Sequence, residues 1–438
     1  MKKIFYVILA VLILSASCTK VKDSSITPAM ARDSLYTIMK LYYYWYNMPE
    51  CQAVSLLNKG NYKDPYELLE AMRYKAKDKW SYVNDYQVYL SEIQTGNIGH
   101  GITVGLDTAG LARIMQIDDQ APLYASGVRR GWIIKKVNGT DIAPFIAAGD
   151  IAGYYTVLGE KKTGVTNTFI FRKPDGTEVT ISSAKESIIH NTVQLAEVLD
   201  LTSGKTGHLV FDSFTSATAD ELALAFSDFK SAGVKDLIID LRYNSGGYLV
   251  TAQTLGSYII GNSRQGDAFI KLVYNDKASQ YNRAYSFQST PYPLDLQRVV
   301  FITSRATAFT SEAVINGLKP YIDVVIIGDT TNGKPVGMNG WIIGKKYYMW
   351  PVTFKLLNSA DAGDYFSGIL PDIETIDDVT RDFNDPLEVS LKEAISWLET
   401  GGGTKNLRFY KRTPLLRENV PLVRGALVEG PPEISEDR

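Results

Sequence analysis

The run Asp236-Leu237-Ile238-Ile239-Asp240-Leu241 leaves this chain the fewest choices of fold. A short, nearly continuous apolar stretch does not alternate, so it reads as a strand buried on both faces, the situation found in a helix-covered sheet. The neighbouring segments repeat the theme. Gly207 to Phe211 reads as a strand, and Thr218-Ala219-Asp220-Glu221 reads as a capping box. That box opens a helix with Leu222, Phe226 and Phe229 on one face, which Gly233 ends. Two further strand-to-helix repeats are expected, at Val299 to Thr303 and then at Val324 to Ile327. Residues 193–398 are therefore expected to form an α/β core.

Upstream the periods differ. Residues 28–95 read as a small helical region, with an aromatic run Leu41-Tyr42-Tyr43-Tyr44-Trp45-Tyr46 and an Asp64-Pro65 helix start. Aromatics at helical spacing argue for packing rather than for a carbohydrate platform. Residues 96–192 change to short alternating apolar segments divided by glycines, a β-rich domain. Residues 399–438 contain a Gly401-Gly402-Gly403 run, carry Pro414, Pro421, Pro431 and Pro432 beyond it, and read as an extended tail.

At the other end, Lys2 and Lys3 precede the apolar run Ile4 to Leu14, which has the length of a secretory core and is too short to span a bilayer. Ser15, Ala16 and Ser17 then lead into Cys18. This resembles a bacterial lipobox, with Ser15 in place of the usual leucine, and implies that residues 1–18 form a lipoprotein signal peptide whose cysteine is lipidated. The expected setting is extracytoplasmic, on a membrane-anchored lipoprotein at the outer membrane or periplasmic face.

Composition narrows the chemistry. With 46 Lys and Arg against 48 Asp and Glu, nothing electrostatic points to nucleic acid. Three histidines, His100, His190 and His208, and two cysteines, Cys18 and Cys51, supply too few soft ligands and no HExxH or CxxC spacing, so no metal site and no cofactor are expected. A Ser-His-Asp hydrolase is disfavoured for the same reason. In an open α/β sheet the site forms beyond the carboxyl ends of strands. Three loops fall there: Tyr243-Asn244-Ser245-Gly246-Gly247, Ala306-Thr307-Ala308-Phe309-Thr310-Ser311-Glu312, and Gly328-Asp329-Thr330-Thr331-Asn332-Gly333-Lys334. Paired glycines let backbone N–H groups approach an oxygen, and a helix start favours negative charge.

With "DKWSYV" at 78–83, "DLIIDLRYNSGG" at 236–247, "TAFTSEAVINGL" at 307–318, "GDTTNGKPVG" at 328–337 and "GILPDI" at 368–373, the chain resembles the C-terminal processing, or tail-specific, serine peptidase family. The resemblance implies a crotonase-like α/β peptidase core, preceded by a helical cap and a PDZ-like domain. The Gly99-His100-Gly101-Ile102 segment resembles the PDZ carboxylate-binding loop, with Gly101 and Ile102 as peptide-binding residues, and Gly127 to Gly139 resembles the PDZ signature, with Arg130 and Trp132 replacing its usual Pro and Asp. The family uses a serine nucleophile and a lysine base, which requires a lysine whose pKa falls from about 10.4 towards neutrality. Lys334 matches the base, Gly247 and the Thr310 N–H match the oxyanion hole, and Glu312 matches a supporting acid.

The nucleophile does not match. The family's T-A-S-A-S-E reads Thr307-Ala308-Phe309-Thr310-Ser311-Glu312 here, so Phe309 stands where the attacking serine belongs, and the 25-residue interval to Lys334 keeps the family register. Ser311 lies about 200° around a helix from that position and is the candidate substitute. Two readings follow: an exported serine-type peptidase acting on polypeptides, impaired at its nucleophile, or an inactive polypeptide-binding relative. The anchor is testable first. Cys18→Ala is expected to abolish incorporation of a clickable palmitate analogue and release the protein from membranes; unchanged labelling would contradict the lipobox reading.

Overall fold

The computed structural model describes residues 26–95, 98–401 and the backbone of 415–417. Residues 1–25, with Cys18 and the expected signal peptide, and most of the tail lie outside the described residues. The core is a six-stranded sheet in the order 373–374, 323–328, 298–303, 236–240, 204–211, 193–201. The first five strands run parallel and Val193–Leu201 closes the edge antiparallel; the helix expected after Val324 to Ile327 is instead strand Val336–Met338, drawn into pairing with Val352–Asn358.

Alternation explains why the Asp236–Asp240 strand lacks a polar face. Leu237 and Ile239, with Val299 and Phe301 beside them, face helices Thr218–Ala232, Leu249–Ile260 and Thr310–Leu318, whereas Ile238, Val300 and Ile302 face helix Val389–Thr400. Helices on both faces require both sets of side chains to be apolar. Thr218 forms no capping box, contrary to the sequence expectation. The helix begins at Thr218 itself, and Glu221 instead reaches the backbone N–H of Val193 and the Thr192 hydroxyl, a tertiary pairing that outcompetes the local cap.

The helical residues 28–95 pack directly on the sheet. Helices Pro28–Tyr42 and Pro65–Met72 and strand Tyr82–Asp85 share one continuous hydrophobic core with the sheet, and that strand pairs with Tyr347–Trp350. The aromatic run supplies this seam. Tyr42 stacks on Trp341 at 5.3 Å, and Trp45 lies among Tyr43, Tyr44, Tyr74 and Phe366.

The β-rich domain has its own core, built from Ile102, Val104, Ile114, Val137, Phe169 and Phe171 among others, under an antiparallel sheet ordered 102–106, 112–117, 133–137, 166–172, 178–184. His100 is buried there, held by Asn167 at 2.7 Å and Ser183 at 3.1 Å against the Phe169 ring. It is a packing residue of this domain.

Two ionic contacts join the domains. His190 sits between Asp118 and Asp212 at 2.5 and 2.6 Å; burial opposes its charge, but the two carboxylates push its pKa up to about 10. Arg130, one of the departures from the PDZ pattern, is buried and reaches the Met115 carbonyl, the Tyr243 hydroxyl at 2.8 Å and Asp377 at 2.7 Å. Arg242 shares Asp377 and adds Asp240 and Glu388 at 2.6 and 2.8 Å. Desolvation works against the Asp377 carboxylate, yet the two guanidiniums outweigh it and hold its pKa below the usual range. Arginine suits this position because its planar fork serves several acceptors at once. Arg242→Met would strand buried carboxylates and is expected to lower unfolding free energy by roughly 3–5 kcal/mol in urea titration; a loss under about 1 kcal/mol would show that the network contributes little.

Candidate active site

The three loops singled out in the sequence emerge side by side, because strands 236–240, 298–303 and 323–328 are adjacent and parallel. Backbone and side-chain hydrogen bonds, the first of them from a main-chain carbonyl, pin each loop to the next. Asn244 gives its carbonyl to the Ala308 N–H at 3.1 Å, and Thr307 gives its hydroxyl to the Leu241 carbonyl at 2.7 Å. Thr331 binds the Ile369 N–H at 2.7 Å, which ties the third loop to the "GILPDI" segment. Gly247 is required by its surroundings: at φ 146° a Cβ would lie 2.0 Å from the Phe214 carbonyl oxygen.

Glu312 organises the centre. Its buried carboxylate accepts the N–H groups of Phe309 at 2.9 Å, Gly333 at 2.6 Å and Lys334 at 2.8 Å, and the Thr331 hydroxyl at 2.5 Å. Burial pushes its pKa up against the pull of these donors. The hydrogen bonds fix two loops at once, so Phe309 and Lys334 hold their relative position.

Phe309 adopts φ 49° and ψ −99°, a strained backbone for a bulky residue, at the start of helix Thr310–Leu318. Its ring is 1% exposed and lies under Lys334, whose Nζ stands 5.0 Å from the ring centroid. Desolvation lowers the Lys334 pKa to about 7, offset in part by Glu312 and by Asp78. Asp78 comes from the N-terminal region, where it accepts the Tyr43 hydroxyl at 2.8 Å and the N–H groups of Trp80 and Ser81.

The remaining hydroxyls point elsewhere. Ser311 donates to the Asn244 carbonyl at 3.1 Å. Thr310 Oγ1 accepts the Gly247 N–H at 3.1 Å and donates to the Gly247 carbonyl at 2.8 Å. The structure thus brings together Phe309, Thr310, Ser311, Glu312, Lys334 and Gly247. It places Gly101 and Ile102 apart from them, in the β domain, beside a small cavity also lined by Gln116, Asp118, His190 and Asp212. Asp78, Thr331 and Tyr365 were not singled out from the sequence. Tyr365 is pushed up in pKa by burial and by Glu312, and no motif marked it. For Asp78 the "DKWSYV" segment carried the signal.

A buried lysine with a lowered pKa makes stability pH-dependent. Between about 7 and the usual lysine value the unfolded chain binds more protons at this site than the folded one, so stability rises with pH across that window. The raised His190 pKa acts in the opposite sense, being lost as pH rises towards 10, so the comparison needs a variant. In urea titrations, wild type is expected to gain stability relative to Lys334→Met from pH 7 to 10; a constant difference would mean that Lys334 titrates normally.

Comparison with known proteins places these features in context. The profile of "Peptidase family S41" matches residues 205–375, and that of "Peptidase S41 N-terminal domain" matches residues 31–82. The carboxy-terminal processing protease CtpA of Bacillus subtilis is 23% identical over 259 residues, covering 57% of this chain and 52% of the relative. A probable CtpA-like serine protease of Staphylococcus aureus (strain COL) is 26% identical over 311 residues, covering 65% and 59%. The chain thus spans little more than half the length of these relatives. Among solved structures, a putative S41 protease from Bacteroides fragilis aligns with a TM-score of 0.65 at 23% identity, covering 83% of this chain and 96% of that one. The photosystem II D1 C-terminal processing protease aligns at 0.51 and 17% identity, covering 80% and 94%. Both share the fold.

Proposed function

The chain belongs to peptidase family S41, the C-terminal processing serine peptidases, and from that premise we propose that it engages polypeptides with its hydrolytic step disabled. The observation that carries this reading is the Phe309 ring buried under the Lys334 amine, where the resemblance puts a hydroxyl. A lysine near pKa 7 is a competent base, but the Phe309 ring at the nucleophile position carries no oxygen that could form an acyl-enzyme.

A second departure reinforces the first. The Gly247 N–H, which the resemblance assigns to the oxyanion, already donates to the Thr310 hydroxyl, so a substrate carbonyl has to compete with an internal acceptor. Ser311 is a poor replacement because its hydroxyl is committed to the Asn244 carbonyl on the neighbouring loop. The lysine, the acid and the loops are retained, which fits a protein that still presents a polypeptide-binding cleft. Export on a lipid anchor at Cys18 completes the proposal, supported by the sequence of residues 1–18 alone.

Purified protein is expected to leave unfolded casein intact. Phe309→Ser is expected to introduce slow cleavage, and Phe309→Ser with Thr310→Ala is expected to cleave faster by on the order of tenfold or more, because the second change frees the Gly247 N–H. Robust wild-type cleavage that Ser311→Ala abolishes would overturn the reading.

A further inference from the structure

The sheet of the β domain has one more strand than its own sequence supplies. Leu415–Arg417 pairs antiparallel with Ile102–Leu106, in the register Leu415 to Gly105, Leu416 to Val104 and Arg417 to Thr103. Without that strand, Ile102–Leu106 would be the sheet's outer edge, with the far edge at Glu178–Ala184. An uncovered edge presents a row of N–H and C=O groups that any extended chain can pair with. This edge also follows directly on the Gly99-His100-Gly101 turn. All five of its residues are buried: Ile102, Val104 and Leu106 belong to the domain's core, and the alternating Thr103 and Gly105 are covered as well.

We propose that the chain's own Leu415–Arg417 is the resident, autoinhibitory occupant of the Ile102–Leu106 edge, the edge where the resemblance already places a polypeptide, and that it sits there as an internal, extended segment. A polypeptide arriving in trans must displace it. The proposal rests on the polypeptide-binding reading above and specifies what already occupies that edge.

The occupant is informative about the ligand. Twenty-one residues follow Arg417 in the sequence, so the strand is docked by its interior and not by a terminal carboxylate. Recognition of that kind uses main-chain pairing along the strand, which tolerates many sequences. The connection allows it in cis: helix Val389–Thr400 ends at Gly401, and the thirteen residues 402–414 can span up to about 45 Å when extended. Tethering gives the tail an effective concentration on the order of 1 mM, so a peptide that binds the open edge at about 100 μM would bind the occupied one about tenfold more weakly.

The test uses the full chain with Leu415→Pro and Leu416→Pro together. N–H groups of successive strand residues point to opposite sides, so removing both eliminates a cross-strand donor whichever residue supplies it. Two readouts are compared with wild type. Hydrogen–deuterium exchange of the 102–106 amides is expected to accelerate by about tenfold or more. A fluorescent synthetic peptide of residues 411–422 is expected to bind about tenfold more tightly, and the same peptide carrying both prolines is expected not to bind. Unchanged exchange would overturn the occupancy. Faster exchange without peptide binding would overturn the docking edge. Wild-type protection that grows with protein concentration would assign the strand to a second copy and overturn occupancy in cis. Neither readout involves cleavage, so each outcome is independent of whether Phe309 silences hydrolysis.

Discussion

One buried carboxylate sets the geometry of the centre. Glu312 collects the N–H groups of Phe309, Gly333 and Lys334 together with the Thr331 hydroxyl, and thereby clamps the loop after strand 298–303 to the loop after strand 323–328. Charge-assisted hydrogen bonds to backbone donors are among the stronger polar contacts available to a fold. They hold Phe309 in a strained positive-φ conformation costing on the order of 1–3 kcal/mol, which a benzyl side chain would not adopt unaided. The clamp thus fixes the turn at the position where the resemblance expects a nucleophile and where Phe309 stands.

The clamp reaches further than the two loops. Lys334 is felt by Asp78, which the Tyr43 hydroxyl and the backbone around Trp80 hold in place. The N-terminal aromatic seam consequently fixes part of the electrostatic environment of the lysine. On the opposite side, the loop bearing Gly247 begins at Arg242 and Tyr243, whose shared partner Asp377 is also held by Arg130 of the β domain. All three regions of the chain thus contribute groups within one or two contacts of the centre.

Much of this was legible in the sequence. The apolar strand at 236–240 and its neighbours declared a two-sided sheet, and the spacing from Phe309 to Lys334 placed those two residues together before any coordinates. What could not be read were contacts made by polar groups across long sequence separations. Thr310 closing on Gly247 looks like an ordinary helix-start residue in one dimension. Thr218 and Glu221 fit a capping pattern, yet Glu221 finds a better partner in Val193. Residues 28–95 carry their own helical periodicity, and nothing local reveals that their aromatic faces are completed by Trp341 and Phe366. The strand at 415–417, three residues in a proline-bearing tail, acquires its conformation only from the edge it joins.

Mechanism-based labelling tests the proposed loss of the nucleophile most directly, because it reads the presence of an activated hydroxyl without depending on the natural polypeptide. Wild-type protein incubated with a fluorophosphonate and weighed intact is predicted to gain no adduct, while Phe309→Ser gains one mass increment at the new serine. A stoichiometric adduct on wild type, mapped to Ser311 or Thr310, would contradict the claim that the Lys334 amine faces a ring where an attacking oxygen is needed.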